Sequence, residues 1–222
     1  MKVNADLTQP VLVRTESLPW VSSPLAGVER RMLDRDGGEV ARATSLVRYA
    51  PGSSFSRHTH DLGEEFLVLD GVFSDEHGDF GKGFYVRNPP GSSHSPHTRP
   101  GCVIFVKLRQ MQPEGERPVV LDTTRAGWEA SDVDGYLGLP LYANSFEVVT
   151  MERLLSGATI PARRHPGGEE LLVVEGSAES AEFGVLETMS WLRNPSATGA
   201  PLTSRGGAVL WVKRGHLAAH TT

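Results

Sequence analysis

Short apolar runs closed by turns recur along the chain. Phe66-Leu67-Val68-Leu69 and Leu171-Leu172-Val173-Val174 are each followed within two residues by a glycine, Gly71 and Gly176. Apolar runs of this length between turn signals are the pattern of buried strands. Cys102-Val103-Ile104-Phe105-Val106-Lys107-Leu108 and Ala208-Val209-Leu210-Trp211-Val212-Lys213 have the same composition, and each follows glycine. Pro51-Gly52-Ser53, Asp75-Glu76-His77-Gly78 and Asn88-Pro89-Pro90-Gly91 supply turns between the runs. Helical periodicity is weak. Pro10, Pro19 and Pro24 break any continuous helix near the start of the chain. Closely spaced short strands predict an all-β sandwich or barrel.

The strand pattern occurs twice. The segment from His60 to Gly71, with Gly63-Glu64-Glu65 ahead of its apolar run, matches His165 to Gly176, with Gly168-Glu169-Glu170 in the same place. Arg87-Asn88-Pro89 matches Arg193-Asn194-Pro195, and Val106-Lys107 matches Val212-Lys213, one position further offset. One register held through several blocks is the mark of a duplicated unit. The expected domains are residues 1–115 and 116–222. Val11-Leu12 through Trp20 echoes Val120-Leu121 through Trp128, so the lead-in strand is duplicated as well.

Composition narrows the function. The 222 residues hold 22 Lys plus Arg against 27 Asp plus Glu, a formal charge of −5, which argues against a phosphate-binding surface and hence against nucleic acid. A single cysteine excludes an intrachain disulfide and a multi-cysteine zinc module. No apolar run nears the ~20 residues of a membrane helix. The first ten residues lack the apolar stretch of a signal peptide, so a cytoplasmic protein is expected.

Ligand-type residues cluster in the first copy. His58 and His60 are two apart, so on a strand both rings point to one side. Glu64 follows, and His94 comes after the Pro89-Pro90-Gly91 turn, which can carry it back opposite. Three imidazoles and a carboxylate suit one divalent transition metal.

These residues resemble the cupin family through two motifs. Gly52, His58, His60, Glu64 and Gly71 keep the spacing of the first; Gly83, Pro89, Gly91 and His94 keep that of the second. The segments Gly71–Phe80, Tyr85–Ser92 and Gly101–Leu108 are similar to ChrR-type cupins, which form the C-terminal part of certain zinc-dependent anti-sigma factors. The resemblance implies two tandem jelly-roll barrels, a double cupin. It implies His58, His60, Glu64 and His94 as ligands of one metal ion, zinc as the first expectation and iron, manganese or nickel as the alternatives. It also implies dimerisation through outer strands.

The second copy has lost part of this set. Arg163 stands in place of His58 and Ala200 in place of His94, while His165 and Glu169 persist. The second barrel is therefore expected to bind no metal, with Arg163 paired to Glu169 in the ion's stead. Among the other candidates, His97 is expected at the rim, His77 at an exposed hairpin tip, and His216 and His220 in a surface or disordered tail. Cys102, matched by Ala208, is expected to be a buried packing residue. Arg87 and Arg193 persist in both copies, which points to a structural role.

Three functions follow from this pattern. The resemblance implies a regulatory or sensory protein of the anti-sigma type, with a small molecule or oxidant acting at the metal and a sigma factor as partner. Such proteins hold the sigma factor with a separate N-terminal helical domain rich in zinc ligands. The single cysteine and proline-broken start argue against that mode of binding here. The alternative is a metal-dependent dioxygenase, cleaving diketones or flavonols, or an isomerase, with Glu64 detaching to act as a base. The third is a binding module whose metal only staples the barrel.

Overall fold

The computed structural model describes residues 1–113 and 115–217. It contains two compact units that interleave along the chain. One comprises Met1–Ala5 and Pro19–Ala126; the other comprises Asp6–Leu18 and the residues from Gly127 onward. Among the described residues there is no α-helix, and Thr15–Ser17 forms a 3₁₀ turn. The all-β expectation is met.

The first unit is built on an antiparallel sheet whose central strand, Cys102–Leu108, lies between Ala41–Tyr49 and Glu64–Asp75. Val28–Gly37 extends the sheet on one side and Phe84–Asn88 on the other. The second unit repeats this order. Ala208–Arg214 lies between Val148–Leu154 and Glu169–Ser180, flanked by Tyr136–Ala143 and Ser190–Asn194. The duplication read from sequence is a duplication of topology.

Both lead-in strands exist, and each completes the sheet of the other repeat. Val119–Asp122 pairs with Phe84–Asn88, and Val11–Arg14 pairs with Ser190–Asn194. This exchange explains why the units are not contiguous in sequence.

Strand alternation builds each core. Cys102, Ile104 and Val106, two apart on one strand, join Phe66, Val68 and Phe73 in the buried cluster of the first unit. Leu171, Val173, Leu210 and Val212 do the same in the second. Each fully buried side chain of this kind contributes roughly 1.5–3 kcal/mol. Cys102 is a packing residue, as expected. Its thiol is pushed up to about 11 by burial, which keeps it protonated and unreactive at neutral pH.

The apolar runs do not end at their glycines. Glu64–Asp75 continues through Gly71 and Glu169–Ser180 through Gly176. Both glycines have φ +71°, and a Cβ on either would fall 2.0–2.1 Å from the carbonyl oxygen of Gly101 or Gly207. Glycine here marks a sharp bend in a longer strand. Beyond the bend, Val72–Asp75 pairs with Gly78–Gly81, and exposed His77 lies in the tight turn between them.

Arg87 and Arg193 are wholly buried. Arg87 is paired with Glu65 and Glu116, and Arg193 donates to the backbone oxygens of Asp6 and Gln9. Both have the structural role expected. His216 departs from expectation. It is 2% exposed, with Nε2 3.4 Å from Glu170 Oε1. The tail is tied down there by backbone bonds from Gly215 and Leu217 to Gly168 and Gly167. His220 lies outside the described residues.

Candidate metal centre

The first unit brings the three predicted histidines together. His58–Thr59 and Ser93–His94 form a short antiparallel ribbon in which His58 sits directly opposite His94. His60, two residues beyond His58, keeps the same side, and its backbone extends the ribbon by bonds to Ser92 and from Gly91. The three ring centroids stand 4.8–5.0 Å apart, and the rings are tilted 72–79° to one another. One nitrogen from each ring lies within 4.8 Å of the other two. Glu64 begins its strand on the same face as Phe66 and Val68 and so points into the barrel. Its Oε2 is 3.4 Å from His60 Nε2 and 3.6 Å from His94 Nε2.

Hydrogen bonds orient two of the rings. His94 Nδ1 is 3.0 Å from Asp75 Oδ2, and an ionised carboxylate only accepts. His58 Nδ1 is 3.2 Å from the carbonyl oxygen of Ser56. Both Nδ1 atoms are therefore placed to donate, the arrangement that leaves Nε2 as the ligand atom of a metal-bound imidazole; His94 Nε2 faces His60 and Glu64. Burial, reinforced by neighbouring His58, lowers the pKa of His60 to about 4, so its ring is neutral at pH 7. Burial raises the Glu64 carboxyl above its usual range, while His94 and the Asn88 amide, which donates to Oε2 at 3.0 Å, act the other way.

This donor set fits a divalent metal. Two imidazoles bound at ~2.0–2.1 Å to one ion stand about 2.8–3.4 Å apart at cis-octahedral to tetrahedral angles. His60 Nε2 and His94 Nε2 are 3.1 Å apart. His60, His94 and Glu64 are buried, whereas His58 is exposed, so the cluster is open on one side. His97 does not join it. It is exposed and makes backbone bonds to Ser74 at the rim.

The second unit holds an ion-pair network at the corresponding place. His165 Nε2 remains 3.4 Å from Glu169 Oε2, as in the first copy. The expected pairing of Arg163 with Glu169 is corrected: Glu169 is held by Arg214, whose Nε lies 2.7 Å from Oε2. The other end of the Arg214 guanidinium pairs with Glu152. Arg163 lies instead over the Tyr136 ring, 4.4 Å from its centroid, and donates to the Tyr136 hydroxyl at 3.2 Å. By strand register Arg214 stands where the first copy has Leu108, and Glu152 where it has Val47. Burial would raise the Glu152 carboxyl, but Arg214 outweighs it and holds the group below its ordinary value. Burial raises the Glu169 carboxyl, and Arg214 opposes that shift.

Four residues of these sites escaped the sequence reading: Asp75, Asn88, Glu152 and Arg214. The last two carried a signal, because a charged residue in one copy faces an apolar residue in the other.

Both halves of the chain match the model of the ChrR cupin-like domain, over residues 8–112 and 116–218. The chain belongs to the ChrR cupin-like domain family. This cupin has two tandem copies of the domain, and a double-barrel fold is shared with solved structures. A candidate dioxygenase from Nostoc punctiforme aligns with 93% of the cupin and 82% of its own chain, at 15% identity and TM-score 0.77. The pirin YhhW from Escherichia coli, solved with nickel(II), aligns over 93% and 98% at 12% identity and TM-score 0.68. Oxalate decarboxylase from Bacillus subtilis aligns over 92% and 76% at 13% identity and TM-score 0.63. None of the curated proteins matches the cupin.

Proposed function

We propose that the first barrel holds one divalent transition metal through His58, His60, His94 and Glu64, and that this centre is the ligand- or oxidant-responsive site of a regulatory protein. The observation that carries the metal is the convergence of three imidazoles on one point, with Nδ1 of two of them turned to hydrogen-bond partners outside the cluster. Membership of the ChrR cupin-like family supports the regulatory role. When bound, the ion supplies Lewis acidity and, if redox-active, electrons. The chain supplies the rest. His60 and His94 form the buried wall, Asp75 holds the His94 ring in place, and Asn88 steadies Glu64. The exposed edge of His58 leaves an approach for a small molecule.

That open edge favours a second reading, a metal-dependent enzyme acting on a small oxygenated molecule. Among residues of the centre, Glu64 is the carboxylate available to take a proton, and its burial favours the protonated form. Zinc would favour sensing, since it has no redox chemistry; iron, manganese or nickel would favour turnover.

Elemental analysis of protein purified without added metal tests the site. One ion per chain is expected, lost in His60→Ala and retained in His165→Ala. Equal occupancy in His60→Ala refutes the assignment. Oxygen uptake with diketones or phenolics that vanishes in His94→Ala selects the enzyme; capture of a sigma factor, with no turnover, selects the regulator.

A further inference from the structure

Asp75 ends the long strand Glu64–Asp75 where it meets the exposed turn Glu76-His77, and its side chain is 3% exposed. One carboxylate has two partners there. Oδ2 lies 3.0 Å from Nδ1 of His94, and Oδ1 accepts from the backbone N–H of His77 at 2.7 Å. A single planar group thus joins a buried ring of the metal centre to an amide at the surface. A second tie runs beside it. Glu76 accepts from the Ser95 amide, next to His94, at 2.7 Å and pairs with Arg57, next to His58. The second copy has the turn without the link. Ser180 takes the place of Asp75, and its hydroxyl accepts from the amides of Glu182 and Phe183, both within its own turn. The barrel that keeps the ligand set is the one that has a carboxylate here.

We infer that the turn Asp75–Gly78 is a surface readout of the metal centre, coupled to it through the two oxygens of Asp75. The inference rests on the proposal that His94 is a metal ligand. An imidazole bound to metal through Nε2 carries its proton on Nδ1, where it donates to Asp75. In the ion's absence that proton has a second place, on Nε2, which faces His60 Nε2 at 3.1 Å and Glu64 Oε2 at 3.6 Å. Nδ1 then presents a lone pair to a carboxylate that only accepts, and the contact turns repulsive. Rotation of the carboxylate moves both oxygens together, so Oδ1 leaves the His77 amide as Oδ2 leaves the ring. The centre and the turn therefore share one switch. Linkage makes it reciprocal: a molecule that draws the His77 N–H away from Asp75 weakens the hold of the centre on its ion. Glu76, His77 and Asp79 are exposed, so the turn is open to such a partner.

Amide–water exchange, measured by NMR on the isotope-labelled full chain saturated with zinc or stripped by a chelator, tests this. In the wild type the His77 amide is expected to exchange at least about fivefold faster after stripping, the effect of losing one hydrogen bond to a charged group. Thr124 is the control within the same unit, because its exposed amide is held in the same manner by Asp122 Oδ1, at 3.0 Å. Its rate is expected not to change. Asp75→Ser gives the first copy the turn residue of the second and is expected to make the His77 rate the same with and without bound zinc. Elemental analysis checks the loading of each sample. The proposal is overturned if His77 exchanges alike in zinc-loaded and stripped wild type, or if Thr124 changes as much as His77; neither outcome needs the variant. It also fails if zinc-loaded Asp75→Ser keeps the wild-type response. In all three cases the bound zinc leaves the metal assignment standing, whereas a wild type that takes up no zinc overturns both.

Discussion

Arg214→Leu removes the cation that two buried carboxylates share. Glu152 and Glu169 have side chains 1% and 11% exposed, and Arg214 itself is 17% exposed. Replacing a buried pair by well-packed apolar groups is often neutral, whereas removing one partner strands the other charge and costs about 3–5 kcal/mol. Leucine is the residue found at the matching position of the first barrel, so shape is close to conserved and the loss isolates the stranded charge. The expected effect is therefore about 3–5 kcal/mol of destabilisation of the second unit, a large share of the ~5–15 kcal/mol that stabilises a typical domain. Adding Glu152→Val, again the first barrel's residue, removes one of the two stranded carboxylates and is expected to restore the greater part of that loss. Urea unfolding followed by tryptophan fluorescence reads the second unit directly, because Trp191 and Trp211 lie fully buried within it. A single variant within about 1 kcal/mol of wild type, or a double variant no more stable than the single, would refute the view that Arg214 neutralises this pair.

Asp75→Asn should weaken metal binding about 10–100-fold, since the carboxylate orients His94 and raises its basicity from outside the ligand set; an unchanged affinity in competition with a chelator would exclude that role. Acid should destabilise the second unit through His165, whose pKa burial lowers to about 4 from the 6.5 of a free side chain. The unfolded chain then binds the extra proton, so stability falls as pH drops from about 6.5 towards 4, by at most about 3 kcal/mol. His165→Gln should flatten that part of the stability–pH curve, and an unaltered curve would contradict it. The backbone register places Gly199, not Ala200 as the sequence alignment had it, opposite Arg163 as His94 is opposite His58; combining Arg163→His and Gly199→His with Glu152→Val and Arg214→Leu therefore rebuilds the first barrel's donor set in the second and should raise bound metal from one ion per chain to two. Elemental analysis still giving one ion would show that more than these four positions separates the barrels.

The fold was legible because its strands are buried and alternate in a fixed period, and because the pattern occurs twice. The histidine cluster was legible for a related reason. His58 and His60 share a strand face, and the turn at Pro89-Pro90-Gly91 returns His94 to the same ribbon. What escaped depended on neighbours distant in sequence. The Val11–Arg14 and Val119–Asp122 strands were recognised as a pair, yet nothing local tells a lead-in strand which sheet it will complete. Gly71 and Gly176 read as strand ends because glycine usually punctuates. Only the close approach of the Gly101 and Gly207 carbonyls shows that the chain bends there and carries on. His216 read as part of a loose tail because burial of a terminus depends on a docking surface the local sequence does not describe.

The misassigned pairing of Arg163 shows how the second barrel changed its chemistry. A carboxylate and an imidazole left facing the interior without an ion need a compensating positive charge, because a buried, unpaired carboxylate is costly. Arg163, nearest in the motif, has the right charge but is held by Tyr136, the residue that stands where the first barrel has Val28. Arg214 approaches from the adjacent strand, directly opposite Glu169 in the ladder, where its Nε reaches the carboxylate without leaving the sheet. Adding a second cation beside Glu169 alone would leave an excess of positive charge, and Glu152 on the next strand balances it. Two apolar-to-charged changes on neighbouring strands thus replace one divalent ion by a fixed arginine with matched carboxylates. Such a network balances the charge inside the barrel whether or not metal is supplied.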